Sequence, residues 1–240
     1  MKISLVIPST TNHFHYVDCI LKNYELGTVK PDEVIISISN GHLLDEQILK
    51  NLELKYKNSF DKIKFIINPF QVMEGPNRGI GSQHSSFEYI TYHDSDDIPH
   101  PQRIEIIKHF FKNYDILHLN HSYTFSTYFE KISLENIITI GSEKLYLDHF
   151  GNKEYEHRPL DYFPNPNDKS YGYNCGFPVC GGPTTIHKSV LDHISWNENR
   201  ILSYDYDFCM DVLFKYKKSI IIDSPLIWYN KIGNADWACQ

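Results

Sequence analysis

Short apolar runs alternate with helically spaced apolar residues through the first 120 residues of the chain. Five runs have the length and the flanking turn residues of buried strands. They span residues 3–7, 33–38, 62–67, 87–93 and 115–120. Between these runs, apolar residues recur every three or four positions, which predicts helices. The predicted helices lie near residues 14–24, 44–56 and 103–111, and a glycine-rich stretch, EGPNRGIGS (74–82), opens a further short helical segment. Strands alternating with helices indicate βαβ units, so we predict an α/β fold with a mainly parallel sheet and helices on both faces.

The second half of the chain is less regular. Strand patterns occur at NIITI (136–140), TTIH (184–187) and SIIID (219–223), and a helix is predicted near 204–216. Residues 151–180 are rich in Asn, Pro, Gly and Tyr, which predicts a long loop of the kind that often forms lids or binding surfaces. We see no repeat and no clear linker, so we predict a single domain over residues 1–240.

The composition of the chain limits its possible binding partners and indicates its cellular location. The chain has 23 basic and 30 acidic residues, a net charge of -7, and no block of Lys or Arg, which argues against a nucleic-acid partner. The five cysteines are scattered and odd in number, which is typical of reduced thiols in the cytosol. We find no signal peptide and no apolar stretch near the ~18–20 residues of a transmembrane segment. We therefore expect a cytoplasmic protein.

Three polar segments follow predicted strands: PST (8–10), SNG (39–41) and HDSDD (93–97). In parallel sheets ligands bind at the carboxyl ends of strands, so these segments are expected to converge. Asp94 and Asp96 form a D-x-D pattern whose carboxylates suit a hard cation, Mn²⁺ or Mg²⁺, shared with a diphosphate. The alternative is a solvent-exposed acidic turn ahead of Pro99.

Further candidate chemistry lies in three other segments. In GPNRGIGS, Arg78 and the backbone amides at the helix start favour binding of an anion. The pattern matches neither a dinucleotide-binding loop nor a P-loop. A plain glycine-rich turn is the alternative. Asp205 falls in the first turn of a predicted helix, where the macrodipole favours its ionised form, and an ionised carboxylate can act as a general base. The alternative is that Asp205 only caps the helix. Gly181 and Gly182 permit an unusual backbone beside a pocket.

Taken in order, these segments resemble an inverting glycosyltransferase of the GT-A (Rossmann-like) fold, similar to glycosyltransferase family 2. The resemblance spans roughly residues 2 to 220. It implies a metal-dependent enzyme that moves a sugar from a nucleotide-sugar donor, with UDP favoured, to a hydroxyl of a glycan or small-molecule acceptor. It also implies that residues 1–120 form the nucleotide-sugar-binding half and residues 121–240 the acceptor-binding half.

The resemblance carries roles to individual residues. Those implied to bind the nucleotide-sugar are Pro8, Ser9, Ser39, Asn40, Asn77, Arg78, Asp94, Ser95 and Asp96. Among these, Asp94 and Asp96 are the implied metal ligands. Asp205 matches the catalytic base that deprotonates the acceptor. Gly181, Gly182 and His187 are the residues implied to lie on the acceptor side.

Three departures from the family pattern leave alternatives open. The second strand ends in Ser39-Asn40-Gly41 where the family has an acidic residue that recognises uracil. Tyr204 replaces the Glu of the family's Glu-Asp pair. His187 stands where a basic residue is frequent, and it also fits a packed strand histidine. The departures at Asn40 and Tyr204 make a non-catalytic nucleotide- or sugar-binding module the alternative. A nucleotidyltransferase is disfavoured because PSTTNHF (8–14) has no Lys or Arg.

Overall fold

The computed structural model describes residues 1–124, 128–141, 182–196 and 204–229. In these residues nine strands form one sheet. The strands are β1 (Ile3–Thr10), β2 (Glu33–Ser39), β3 (Lys62–Ile67), β4 (Tyr89–Tyr92), β5 (Ile98–Pro99), β6 (His118–Thr124), β7 (Thr139–Gly141), β8 (Thr185–His187) and β9 (Ser219–Trp228). The α-helices are α1 (Val17–Leu26), α2 (Glu46–Tyr56), α3 (Glu74–Gln83), α4 (Arg103–Asn113) and α5 (Tyr204–Tyr216).

The sheet order confirms the predicted α/β fold. Strands run in the order β3-β2-β1-β4-β8-β6-β9-β5, and β7 pairs with β9. The four strands from β3 to β4 are mutually parallel. Beyond them β8 is antiparallel to both β4 and β6, whereas β6 and β9 are parallel. The carboxyl ends of β1, β2 and β4 therefore meet at one edge, as the sequence predicts.

Both faces of the sheet are covered, which explains the continuous apolar runs of the central strands. Successive side chains of a strand point to opposite faces. Leu5 and Ile7 accordingly belong to the larger apolar cluster, with residues of α1, α2 and α4. Val6 and Ile35 belong to the second cluster, which includes residues of β8 and α5.

The glycine-rich segment forms the whole of α3, beyond the short helical start that we predicted. Close packing on the sheet explains its composition. A Cβ on Gly81 would lie 2.5 Å from Cγ1 of Val6, so no larger residue fits without displacing the helix or the strand. The glycine thus holds α3, and the side chains that it carries, directly on β1.

Cys209 is free and buried, whereas Cys19 is disulfide-bonded. The prediction that the thiols are reduced is therefore wrong at Cys19, whose partner lies outside the described residues. The cytoplasmic assignment loses part of its basis and stays a prediction. Among the described residues, no helix has the length and apolarity needed to span a membrane.

Candidate active site

A cavity of about 250 Å³ lies at the carboxyl ends of the parallel strands. Its lining comes from the end of β1, the start of α3, the D-x-D segment after β4 and the end of β9. The lining residues are Pro8, Ser9, Thr10, His13, Val72, Glu74, Asn77, Asp94, Ser95, Asp96 and Tyr229. The structure thus brings together six of the predicted donor-side residues, whereas Ser39, Asn40 and Arg78 lie outside this lining.

A buried arginine forms the electrostatic centre of the site. The Arg78 side chain is 2% exposed, and its Nη2 forms ion pairs with Glu74 one helical turn earlier and with Asp94 after β4. Its guanidinium lies over the Trp196 ring, with 5.3 Å from Cζ to the ring centroid. Although burial opposes ionisation of Asp94, Arg78 holds the pKa of that carboxyl below its usual range. Asp94 therefore stays negatively charged.

Glu74 was missed by the sequence analysis. Its partial removal from water raises the pKa of Glu74, and the charges of Asp94 and Asp205 add to that rise while Arg78 opposes it. One cation thus faces several carboxylates beside the cavity. The signal was available in the sequence, because Glu74 stands four residues before Arg78 in a predicted helical segment.

Asp96 differs from Asp94 in forming no ion pair with any described residue. Among the described residues, its side chain makes no hydrogen bond or ion pair with another side chain. Burial and the neighbouring Asp94 charge raise the pKa of Asp96, while the nearby His13 and Arg78 oppose the rise. Asp96 lines the cavity, and its carboxylate, which no described side chain binds, is available as a ligand for a cation.

The Asn77 side chain is committed to holding strand ends together. Its Nδ2 donates to the carbonyls of Ser9 (3.1 Å) and Ser37 (2.9 Å). Its Oδ1 accepts from the Ser37 hydroxyl (2.6 Å) and from Asn68 Nδ2 (2.9 Å). Two donations and two acceptances saturate an amide side chain. Asn77 therefore shapes the β1 end of the cavity and has little capacity left for direct contact with a nucleotide.

The end of β2 is likewise occupied by the protein itself. The Ser39 hydroxyl accepts from the Val72 backbone N–H (2.8 Å). Asn40 adopts the left-handed conformation with φ of 56°, and its N–H donates to the Phe70 carbonyl (3.0 Å). These bonds hold residues 68–72 across the end of the strand and place Val72 in the cavity wall.

Asp205 lies in the first turn of α5, near the same cluster. It is half-buried and its charge acts on both Arg78 and Glu74. The helix macrodipole favours a negative charge at this place, Arg78 attracts that charge, and Glu74 repels it. Asp207, in the same turn, is buried. The structure thus brings Asp205 toward the donor-side carboxylates from the second half of the chain.

The predicted acceptor-side residues fall in different places. Gly182 lies against Asp94, since a Cβ on it would be 2.7 Å from Asp94 Oδ2. His187 pairs with Tyr89 at the opposite end of β4 from the cavity, and its ring packs edge-on against the Tyr89 ring. This placement favours the packed-histidine alternative for His187. Gly181 lies outside the described residues.

A divalent cation is compatible with the donor set. Among the described residues, no group of three or more His, Cys, Asp or Glu side chains forms a ready-made metal cage. Mg²⁺ and its relatives are commonly held by one or two carboxylates plus substrate phosphates. Asp96, open to the cavity and beside the charged Asp94, fits that second kind of site.

Several solved structures share this architecture. The S. aureus TarS 1–349 complex with UDP-GlcNAc is 16% identical, with a TM-score of 0.65 over 96% of this chain and 59% of that one. Glucosyl-3-phosphoglycerate synthase from Mycobacterium tuberculosis, with Mn²⁺, UDP and glucosyl-3-phosphoglycerate, is 13% identical, with a TM-score of 0.56 over 99% of this chain and 75% of that one. The mannosyltransferase PcManGT from Pyrobaculum calidifontis, with GDP-Man and Mn²⁺, is 9% identical, with a TM-score of 0.60 over 98% and 59%.

These likenesses establish the GT-A fold. The chain spans about 59% of the length of the TarS 1–349 structure that it matches. No curated protein sequence matches it significantly. The family model described as "Glycosyl transferase family 2" matches residues 6–167. The chain therefore belongs to glycosyl transferase family 2.

Proposed function

We propose that this protein is a metal-dependent inverting glycosyltransferase that moves a sugar from a nucleotide-sugar to an acceptor hydroxyl. One observation carries the proposal: the cavity joins the end of β1 to Asp94 and Asp96 at the carboxyl ends of parallel strands. Ligands of open α/β sheets bind at such a place. The three structural neighbours, each bound to a nucleotide or nucleotide-sugar, support this class of donor.

The metal would be held by Asp96, with Asp94 beside it, and by oxygens of the donor. When bound, Mn²⁺ or Mg²⁺ would supply positive charge to the departing nucleoside diphosphate. Asp94, fixed by Arg78, adds negative charge that attracts a cation to the cavity. The neighbours with Mn²⁺ support the use of a divalent cation.

The donor nucleotide would be recognised through shape and backbone groups. Pro8, Ser9, Thr10 and Val72 form the wall nearest the end of β1. Ser39 is buried and lies outside the cavity lining, so its hydroxyl offers little to a base. UDP remains the favoured donor nucleotide, and GDP is the first competitor to test, because the neighbours include both.

Asp205 would act as the general base. In an inverting displacement, the base takes the acceptor proton while the acceptor oxygen attacks the anomeric carbon from the face opposite the leaving diphosphate. A carboxylate suits this role if it is ionised and set apart from the metal ligands. Asp205 is set apart from the ligands, because it lies in the first turn of α5 while they follow β4, and the helix macrodipole there favours an ionised carboxylate.

Thermal unfolding with nucleotides tests the proposal. The chain is heated with UDP, GDP, dTDP or CMP, each with and without Mn²⁺. Ligand at ~100 times its dissociation constant stabilises by ~2.7 kcal/mol, which for a chain of this size is a rise of roughly 5–10 °C in Tm. We expect one diphosphate to raise Tm only when Mn²⁺ is present. No rise with any nucleotide would overturn the proposal.

The same samples separate an enzyme from a binding module. A glycosyltransferase that lacks its acceptor hydrolyses its donor slowly, because water takes the acceptor's place. We expect slow release of free sugar from the matching nucleotide-sugar. Tight, metal-dependent binding without any hydrolysis would instead support the non-catalytic alternative.

A further inference from the structure

A buried arginine outside the cavity connects four separate parts of the chain. Arg103, the first residue of α4, is 0% exposed. Its Nε donates to His121 Nε2 on β6 (3.1 Å) and its Nη1 to the Tyr24 hydroxyl on α1 (2.5 Å). Its Nη2 donates to two backbone carbonyls, those of Tyr92 (2.7 Å) and Gly182 (3.0 Å).

These acceptors are all neutral. Among the described residues, no carboxylate accepts a hydrogen bond from Arg103. Burying an arginine charge is costly even when its N–H groups are hydrogen-bonded, and packed apolar residues often stabilise a core equally well. Stability alone is therefore a weak reason for an arginine at this position, and the two carbonyls bound by Nη2 indicate a different one.

Both carbonyls adjoin the D-x-D segment. Tyr92 is the last residue of β4 and lies two residues before Asp94. Gly182 faces the Asp94 carboxylate so closely that a Cβ would lie 2.7 Å from Oδ2 and 3.1 Å from Cγ. Asp94 is therefore confined on two sides, by Arg78 at Oδ1 and by the Gly182 backbone at Oδ2.

We propose that Arg103 is a positioning residue for the donor site. Its Nη2 clamps Gly182 to the end of β4, and this clamp fixes the direction of the Asp94 carboxylate. A planar guanidinium suits the role, because one nitrogen donates to two carbonyls while the others anchor the fork to Tyr24 and His121. A lysine keeps the charge but loses this geometry. The functional part of this inference rests on the proposed binding of a nucleotide with a metal.

The first test compares two variants that remove different bonds of the same arginine. Arg103→Lys disrupts the clamp on Tyr92 and Gly182, whereas Tyr24→Phe removes only the anchor on α1. The affinity for UDP, or for GDP if UDP does not bind, is measured by calorimetry with Mn²⁺ present. We expect Arg103→Lys to weaken binding ~10-fold or more, as for loss of a residue that orients a metal ligand. We expect Tyr24→Phe to change the affinity by less than about 2-fold, because it leaves both Nη2 bonds in place. An Arg103→Lys variant that binds as tightly as the wild type would overturn the functional role.

A second test needs neither nucleotide nor metal. Gly182→Ala is introduced into the wild type and into Arg103→Lys, and Tm is measured for all four chains. If Arg103 clamps Gly182 against Asp94, the added methyl group has no room in the wild type but finds room once the clamp is loosened. We expect Gly182→Ala to lower Tm clearly less in the Arg103→Lys background than in the wild type. Additive losses would show that Arg103 does not hold Gly182, and would overturn the inference.

The two tests separate this inference from the proposed function. A wild type that binds no nucleotide with Mn²⁺ contradicts the proposed function, and the Tm cycle still decides whether the clamp exists. A wild type that binds, together with an Arg103→Lys variant that binds equally well, contradicts the role of Arg103 alone.

Discussion

The two halves of the sheet hold their functional groups in different ways. In the parallel half, β3-β2-β1-β4, polar groups at the strand ends are bound within that half, as the four hydrogen bonds of Asn77 on α3 to Ser9, Ser37 and Asn68 show. In the mixed half, Gly182 and Asp205 reach the site from elements that are distant in sequence from β1 and β2. The parallel half therefore forms one side of the cavity through contacts within itself, whereas the mixed half contributes groups from distant segments of the chain to the same site.

Aromatic packing carries much of the connection between the halves. Trp196 stacks on Phe208 of α5, with 4.0 Å between the ring centroids. The guanidinium of Arg78 also lies over the Trp196 ring. The Trp196 indole N–H donates to the Tyr92 hydroxyl (3.3 Å). Asp205 stands one turn before Phe208 on the same helix. The position of the proposed base thus depends on contacts across the two halves, whereas the β1 wall depends on contacts within one.

The largest expected effect comes from the mixed half. Asp205→Asn removes the proposed base while leaving the cavity wall intact. We expect kcat to fall ~10³-fold, within the range for loss of a general base, and the nucleotide affinity to stay unchanged. The measurement is donor turnover together with calorimetric nucleotide binding. Asp211→Asn on the same helix is the matched control, and wild-type turnover by Asp205→Asn would contradict the assignment.

The next effect belongs to the parallel half. Asp96→Asn removes the cavity carboxylate that forms no ion pair with any described residue, so the Mn²⁺-dependent gain in nucleotide affinity should fall roughly 100-fold. Affinity without metal should change little. Because burial and Asp94 raise the pKa of Asp96, the metal-dependent gain should also weaken earlier than usual as pH falls.

Asp115→Asn is the control for that variant. Asp115 is exposed and pairs with Lys218 on the surface, so its loss should leave nucleotide binding unchanged. If Asp96→Asn retains the full metal-dependent gain, the metal ligand lies elsewhere.

A third prediction concerns the stability of the parallel half. The Glu33 carboxylate is fully buried and is bound by Ser4, Ser86 and Lys64. Although burial opposes ionisation, these donors lower the pKa of Glu33 to about 2. The lowered pKa means that the ionised Glu33 stabilises the folded protein fully at pH values above its unfolded-state pKa of ~4.3. This contribution is lost as the pH falls toward about 2.

Glu33→Gln should therefore destabilise the protein by about 3 kcal/mol at pH 7, with a deficit that shrinks as pH falls below ~4. Urea unfolding at several pH values checks this. A deficit that stays constant down to low pH would show that packing, and not ionisation, accounts for the loss.

The smallest effect tests how closely α3 packs on β1. Gly81→Ala places a methyl group 2.5 Å from Val6 Cγ1, so it should cost about 1–3 kcal/mol by overpacking. Gly141→Ala is the control, since among the described residues no atom beyond the adjacent ones lies within 4 Å of a Cβ at that position. Adding Val6→Ala should recover part of the Gly81→Ala loss, and equal losses with and without it would contradict the close contact.

Hydrophobic patterning was sufficient for most of the fold. Short continuous apolar runs predict β1 to β4, because strands covered on both faces need apolar side chains on both. The short β5 was not predicted, since two residues, Ile98 and Pro99, carry no periodic signal. The antiparallel place of β8 between β4 and β6 was also not predicted, because pairing between distant segments leaves no local pattern.

The sequence by itself determined the α/β class, the convergence of the D-x-D segment with the end of β1, and the family resemblance. Each depends on residues that are near in sequence or on a period within one element. Only the tertiary structure decided that Asn77 is saturated, that Arg78 pairs with Glu74 and Asp94, and that Arg103 binds Gly182. A buried polar group takes whichever donor or acceptor the fold brings within hydrogen-bond distance, and those partners come from segments far apart in the chain.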